Sequence, residues 1–179
     1  SDAGAVALRA RHSGFVAGAE RFDHRAFGVS EAEAGAMDPQ QRVLLERGYE
    51  ALLAAGLGRA ALEGSVSGVF CAISANEFAE VLRASPAGRG VYAATGSSHS
   101  IAAGRLSYVL GLQGPCVAYD TACSAALAAG HAALRAVQLG ECAAGLLEAV
   151  SLLPLPGVGQ GFALAGMPSA RGRSHTFAA

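Results

Sequence analysis

The sequence predicts an α/β layered domain, and three observations lead there. Helix-like and strand-like segments alternate in the order helix, strand, helix, strand, helix, strand. Ala and Gly make up 65 of the 179 residues, about 36%, whereas apolar residues other than Ala are only about 29%. The core must therefore form by close approach of backbones, because few large side chains are available to fill it. The segment 124–139 is small and apolar around most of its circumference, which suits a helix buried between two layers.

Residues 1–30 read as loop with scattered aromatics, Phe15, Phe22 and Phe27, and no sustained period. The first firm element starts at Met37-Asp38-Pro39-Gln40-Gln41-Arg42. Asp38 suits an N-cap, Pro39 the first helical position, and Gln41 the returning side chain of a capping box. Val43, Leu44, Leu45, Tyr49, Leu52 and Leu53 follow at helical spacing, and Gly56 supplies a left-handed stop. Residues 66–73 form a short apolar run bounded by Gly64 and Ser74-Ala75-Asn76, the signature of a buried strand. A helical turn or two follows to Arg83, then a loop at Pro86, Gly88 and Gly90. Residues 98–110 read as helix stopped by Gly111, and Gln113-Gly114-Pro115 as a turn. Residues 115–119 are extended, Asp120-Thr121-Ala122 is a break, and 124–139 is helix closed by Gly140. A last strand at 143–153 ends at Pro154 and Pro156. On the helix 124–139 the polar residues His131, Arg135 and Gln138 make one narrow stripe.

Charge excludes several classes. Thirteen basic residues face fourteen acidic ones for a net charge of −1, with no basic block, so the footprint of nucleic-acid binding or electrostatic membrane docking is missing. Every basic residue is Arg, which removes Schiff-base and P-loop lysines from these residues. Cys71, Cys116, Cys123 and Cys142 form no C-x-x-C pair and no zinc spacing with His; reduced thiols in an intracellular protein are expected. No apolar run reaches membrane-spanning length. The chain opens Ser-Asp with no initiator Met and no signal core, and is read as a piece of something longer.

Cys123 lies at the junction of a strand and the small-residue helix. The first N–H groups of a helix lack internal partners, and the macrodipole places partial positive charge at the same end. A sulfur held there is a stronger nucleophile, and the same N–H groups can donate to an oxyanion formed when it attacks a carbonyl. Ala122, Ser124 and Ala125 are small and leave room for an acyl group. An inert buried thiol is the plain alternative from position alone. Cys71, Cys116 and Cys142, within or beside the strands, are expected in core packing.

The context of Cys123 goes further. Tyr119-Asp120-Thr121-Ala122-Cys123-Ser124-Ala125-Ala126-Leu127 resembles the active-site signature of the β-ketoacyl synthases, the condensing enzymes of fatty-acid and polyketide assembly. Phe27-Gly28-Val29-Ser30, Met37 to Arg42, Thr95-Gly96, Ser100 to Tyr108 and Gly111 to Pro115 resemble the family's approach to that signature, in order. Gly140-Glu141-Cys142, Ala165-Gly166-Met167, Arg171-Gly172-Arg173 and Thr176-Phe177 continue it. The Met37 to Arg42 motif points toward the multidomain, type I branch. The resemblance implies a thiolase-like α-β-α-β-α architecture, here part of one ketosynthase domain. It divides into a loop and helix region at 1–64, a nucleophile-bearing α/β core at 65–153, and a loop with a short helix at 154–179. It implies acyl transfer to Cys123 from an acyl carrier protein bearing phosphopantetheine, then decarboxylative Claisen condensation with a malonyl-type extender. The Cys123 N–H would be an oxyanion donor, with no metal or organic cofactor, in a homodimer whose contact lies near the strand before Cys123. A cytoplasmic setting is expected, with a plastid the other possibility.

Departures from the family pattern are specific. Its His-Gly-Thr-Gly-Thr and Asn-Gly-His motifs do not occur, so the chain is expected to be the middle of a domain and inactive in isolation. None of His12, His24, His99, His131 and His175 stands in such a context; His131, eight residues beyond Cys123, lies roughly 12 Å away by helical rise, too far for direct proton transfer. Glu148-Ala149 replaces a usual Gly-Gly within a strand, where an ionised carboxylate needs a partner or solvent. Ala125 stands where Ser is usual, and Ala178 where Asp is. The alternative is a non-catalytic ketosynthase-like scaffold or dimerisation module. A cysteine hydrolase fits less well, because Ala122 and Ala125 are not the glycines of a nucleophile elbow.

Overall fold

Every residue of the strand β1 (Ser67–Ile73) is buried. A strand covered on both faces reads as a continuous apolar run, which is the pattern of Val69-Phe70-Cys71-Ala72-Ile73. Two parallel strands flank it, β2 (Cys116–Tyr119) and β3 (Ala144–Val150), in the order β2-β1-β3. Val69 stands opposite Cys116 and Leu146, and Cys71 opposite Ala118 and Glu148. The structure is a computed structural model and describes residues 2–177.

The helices are α1 (Asp2–Arg9), α2 (Glu31–Ala36), α3 (Pro39–Ala54), α4 (Arg59–Leu62), α5 (Phe78–Arg83), α6 (Ala93–Gly96), α7 (His99–Val109), α8 (Ala125–Gln138) and α9 (Pro156–Leu164). They fall into two compact units. The larger, residues 19–152, holds the sheet and α2 through α8; the smaller draws on the segments before Ala19 and after Leu152 and holds α1 and α9. None of the described helices is long and apolar enough to cross a membrane.

Side-chain alternation along β1 builds two layers of core in the larger unit. Val69 packs with Leu45 and Leu52 of α3 and Leu106 of α7, and Cys71 and Ile73 pack with Leu44, Ala102 and Ala103. Phe70 and Ala72 point the other way, onto Ala125, Ala129, Ala133 and Ala136 of α8. That alanine stripe lets α8 lie close on the sheet, as the small-residue composition requires. Its other sides differ from expectation: Leu127 is 80% exposed and His131, Leu134 and Val137 are exposed too, so only one face is covered among the described residues.

Helix α3 begins as its sequence indicates, with the Asp38 carboxylate accepting from the Gln40 N–H at 2.8 Å and Pro39 in the first turn. The capping box does not form. Gln41 instead donates to the carbonyls of Thr95 (3.1 Å) and Ser98 (3.2 Å) and accepts from Arg105 Nε (2.7 Å), because it is buried and those partners lie inside the fold. Gly56, Gly111 and Gly140 take the left-handed backbone expected of stops, at φ 80°, 66° and 73°. Three further features depart from the sequence expectation. The opening segment is not wholly loop: residues 2–9, rich in Ala and other good helix formers, are helical. The helical turn His24–Phe27 also interrupts it, burying Phe27 against Phe22. Cys116 is exposed and not part of the core, because β2 pairs with β1 alone and lies at the sheet's edge among the described residues.

Candidate active site

All three strands are parallel, so their carboxyl ends share one edge of the sheet, the edge where α/β proteins place ligands. β2 ends there at Tyr119, and the chain turns through Asp120 and Thr121 into the 3-10 turn Ala122–Ser124, which leads directly into α8. Three local contacts shape this turn. The Asp120 carboxylate accepts from the Ala122 N–H at 3.1 Å, an Asx-type turn. The Ser124 hydroxyl donates toward the Thr121 carbonyl (2.8 Å) and Thr121 Oγ1 (2.9 Å), and the Ser124 N–H bonds the Thr121 carbonyl at 3.3 Å. Ala122 is left-handed at φ 52°, a conformation that costs a residue with a Cβ about 1–2 kcal/mol.

Cys123 sits in this turn, two residues before α8, and is exposed and free. Its backbone N–H makes no hydrogen bond among those of the described residues, and no side chain caps α8. An accessible sulfur thus lies beside an unengaged amide at the positive end of a fourteen-residue helix. Of the other thiols, Cys71 and Cys142 are buried as expected. Burial, with Glu148 close by, pushes the Cys71 thiol up to about 12. His131 is exposed on α8 and does not join Cys123 in any hydrogen bond of the described residues.

The neighbouring strand end carries a second left-handed alanine. Ala75 follows β1 at φ 64°, and its carbonyl accepts from Gln40 Nε2 at 3.1 Å and lies 3.3 Å from His99 Nε2. Gln40 Oε1 in turn accepts from the Leu152 N–H at 3.0 Å, just past β3. The motif at Met37 to Arg42 therefore ties the ends of β1 and β3 together, and Arg42 closes it by donating to the Met37 carbonyl. Burial pushes the Asp38 carboxyl above its usual range, against the opposing pull of its bonds from Gln40. Nothing in the sequence announced Ala75 or Ala122 as left-handed, since glycine is the usual signal for that backbone.

The family model of the β-ketoacyl synthase N-terminal domain matches residues 2–179. The chain belongs to the β-ketoacyl synthase family. Polyketide synthase GfsB of Streptomyces halstedii is 44% identical over 169 residues, covering 94% of this chain and 3% of that protein. The mycocerosic acid synthase-like polyketide synthase of Mycolicibacterium smegmatis is 44% identical over 156 residues, 87% of this chain and 7% of that protein. Among solved structures, the ketosynthase from module 6 of the bacillaene synthase from Bacillus subtilis 168 superposes with a TM-score of 0.81 at 35% identity, covering 89% of this chain and 27% of that one. The ketosynthase fold is therefore that of the thiolase-like enzymes, as the sequence implied. The chain spans a small part of the curated relatives it matches and about a quarter of the ketosynthase.

Proposed function

We propose that this chain carries the nucleophile of a polyketide-type ketosynthase, and that the nucleophile is Cys123. The observation that supports it is the exposed Cys123 thiol beside its own unengaged N–H at the head of α8. In this reading the Cys123 sulfur attacks the thioester carbonyl of an acyl chain on an acyl carrier protein. The oxygen takes up negative charge and accepts from the Cys123 N–H; the tetrahedral adduct then expels the phosphopantetheine thiolate and leaves an acyl thioester on Cys123. A malonyl-type extender on a carrier loses carbon dioxide, and its carbanion attacks that acyl carbonyl. The new C–C bond forms as the Cys123 sulfur departs, and the β-ketoacyl product stays on the carrier. The histidine motifs that the family uses for decarboxylation do not occur in the 179 residues, so the reading requires them from the parent polypeptide.

The three-part division at 64 and 153 within one ketosynthase domain belongs to the same proposal. So does a homodimer: the outer edge of β2 has no partner strand among the described residues, which supports contact there. The bacterial relatives favour a cytoplasmic setting over a plastid one. A scaffold without chemistry is the less supported reading, because it gives the accessible thiol and free amide no use. The test is to treat the parent protein with cerulenin and map the adduct by peptide mass spectrometry. Modification at Cys123, lost in Cys123→Ala, is the expected result; modification at Cys71, Cys116 or Cys142 in its place overturns the assignment.

A further inference from the structure

Glu148 sits in the middle of β3, only 6% exposed, and among the described residues neither carboxyl oxygen has a hydrogen-bond partner. The sequence left two outcomes for a charge at this position, a partner or solvent, and the structure supplies neither. Its seat is made by an absence on α3. A Cβ placed on Gly48 would collide with Glu148 Oε1 and approach Leu106 Cδ2 of α7 to 2.6 Å, so glycine alone leaves the notch the carboxyl occupies. Beside the notch a cavity of about 200 Å³ opens between α3 and β3, lined by Val43, Leu44, Arg47, Gly48, Glu148 and Val150 among others.

Among the described residues no cation forms an ion pair with Glu148 in that notch. On α3, Arg47 is exposed and paired with Glu50 at 2.6 Å, Arg42 is held on the Met37 carbonyl, and Glu46 accepts from the Asp23 N–H. On α7, Arg105 bonds Glu33 through Nη1 and Gln41 through Nε, its buried Nη2 making no hydrogen bond among the described residues, and it forms no pair with Glu148. On the sheet face that carries Glu148, β1 offers the Cys71 thiol and β2 the Cys116 thiol, neither of them a cation, while Tyr119 of β2 packs on the opposite, α8 side. His131 and Arg135 lie exposed on α8, against the opposite face of the sheet.

We propose that Glu148 is a proton-dependent latch: as a neutral acid it seats in the Gly48 notch and holds α3 on β3, and on losing its proton it leaves through the adjoining cavity toward Arg47, loosening that seam. An uncompensated carboxylate is far more costly to bury than its neutral form. Burial accordingly pushes the Glu148 carboxyl up from its ordinary 4.5 to about 8. Because the folded-state value is raised, the contribution is whole below about 4.5 and is lost as pH climbs toward about 8. Within that window each pH unit lowers the folding equilibrium constant by about tenfold.

The experiment is hydrogen-exchange mass spectrometry of the protein from pH 6 to pH 9, corrected for the intrinsic exchange rate, with Glu148→Gln as the neutral isostere. In the natural protein, protection of peptides from α3 and β3 falls at least tenfold across that range, while peptides from α8 change less. In Glu148→Gln it stays level. Infrared spectroscopy of the natural protein alone gives an independent arm, since the carbonyl band of a protonated carboxylic acid should persist at neutral pH and vanish by pH 10. Level protection in the natural protein, an equal fall in Glu148→Gln, or no protonated band at neutral pH overturns the latch. None of these outcomes depends on the role of Cys123.

Discussion

Ala75 and Ala122 hold matching stations beyond two neighbouring strands. Ala72 and Tyr119 are register partners on β1 and β2, and each alanine lies three residues further on, with left-handed φ of 64° and 52°. Two adjacent strands thus leave the same edge of the sheet through the same disfavoured backbone, one into the loop anchored by Gln40 and the other into the Cys123 turn. Surrounding contacts hold both in place: Gln40 on the Ala75 carbonyl, and the Asp120 carboxylate on the Ala122 N–H.

Replacing Ala122 should separate backbone cost from chemistry. Ala122→Gly removes the Cβ clash and is expected to be neutral or stabilising by up to about 1 kcal/mol, the gain being offset in part by glycine's greater unfolded-state freedom. Ala122→Val adds a branched side chain to the same φ and should destabilise by about 1–2 kcal/mol. Urea unfolding measures both. If the turn presents the thiol, iodoacetamide modification of Cys123 should slow in Ala122→Val while Ala122→Gly keeps its rate.

Much of the fold was legible because its signals are local. Asp38 and Pro39 start α3, and Gly56, Gly111 and Gly140 end α3, α7 and α8 with the positive φ that glycine permits. The apolar run at residues 66–73 marked a buried strand, and the Asp120 break placed Cys123 ahead of α8. What escaped depends on partners distant in the chain. Gln41 has the spacing of a capping-box residue, yet its side chain is used by Thr95, Ser98 and Arg105, more than fifty positions away. Cys116 has the neighbours of a core residue, and its exposure follows only from the place of β2 in the strand order. Glu148 looked out of place in a strand until Gly48, on another element, supplied the room.

The Gly48 and Glu148 pair should behave as one unit under mutation. Gly48→Ala pushes a methyl group into Glu148 Oε1 and Leu106 Cδ2, an overpacking expected to cost about 1–3 kcal/mol. Glu148→Gly in the same chain removes the first of those clashes. A double-mutant cycle by urea unfolding should therefore show a favourable coupling of at least about 1 kcal/mol. Strict additivity would mean that the helix relaxes without reference to Glu148.

Arg105 is the hub between the early helices and α7. Its side chain is 10% exposed, with Nη1 on Glu33 of α2 and Nε on Gln41 of α3. Arg105→Met keeps the packing volume but strands the Glu33 carboxylate and the Gln41 amide oxygen. A loss of about 3 kcal/mol is expected, as for other broken, mostly buried pairs. Arg105→Lys should recover only part of it, since one ammonium cannot span two acceptors as the guanidinium fork does. Thermal unfolding of the three proteins side by side checks the order.

The four cysteines should be modified in a fixed order under native conditions. Cys71 and Cys142 are buried, and burial holds the Cys71 thiol near 12, so neither access nor ionisation favours its reaction. Cys116 is exposed at the sheet's edge, but partial desolvation of its thiol, with Glu148 nearby, pushes it above the ordinary value despite a hydrogen bond with Ser107. At neutral pH it should therefore react more slowly than an unperturbed exposed thiol. Cys123 is exposed at the head of α8 with a free amide beside it, so it should react first. Limited iodoacetamide treatment at pH 7.5 or so, read by peptide mass spectrometry, is expected to give Cys123, then Cys116, with Cys71 and Cys142 protected until denaturant is added. If Cys116 leads at neutral pH, the turn at Ala122–Ser124 does not activate the sulfur it carries, and the proposal that Cys123 is the nucleophile loses its support.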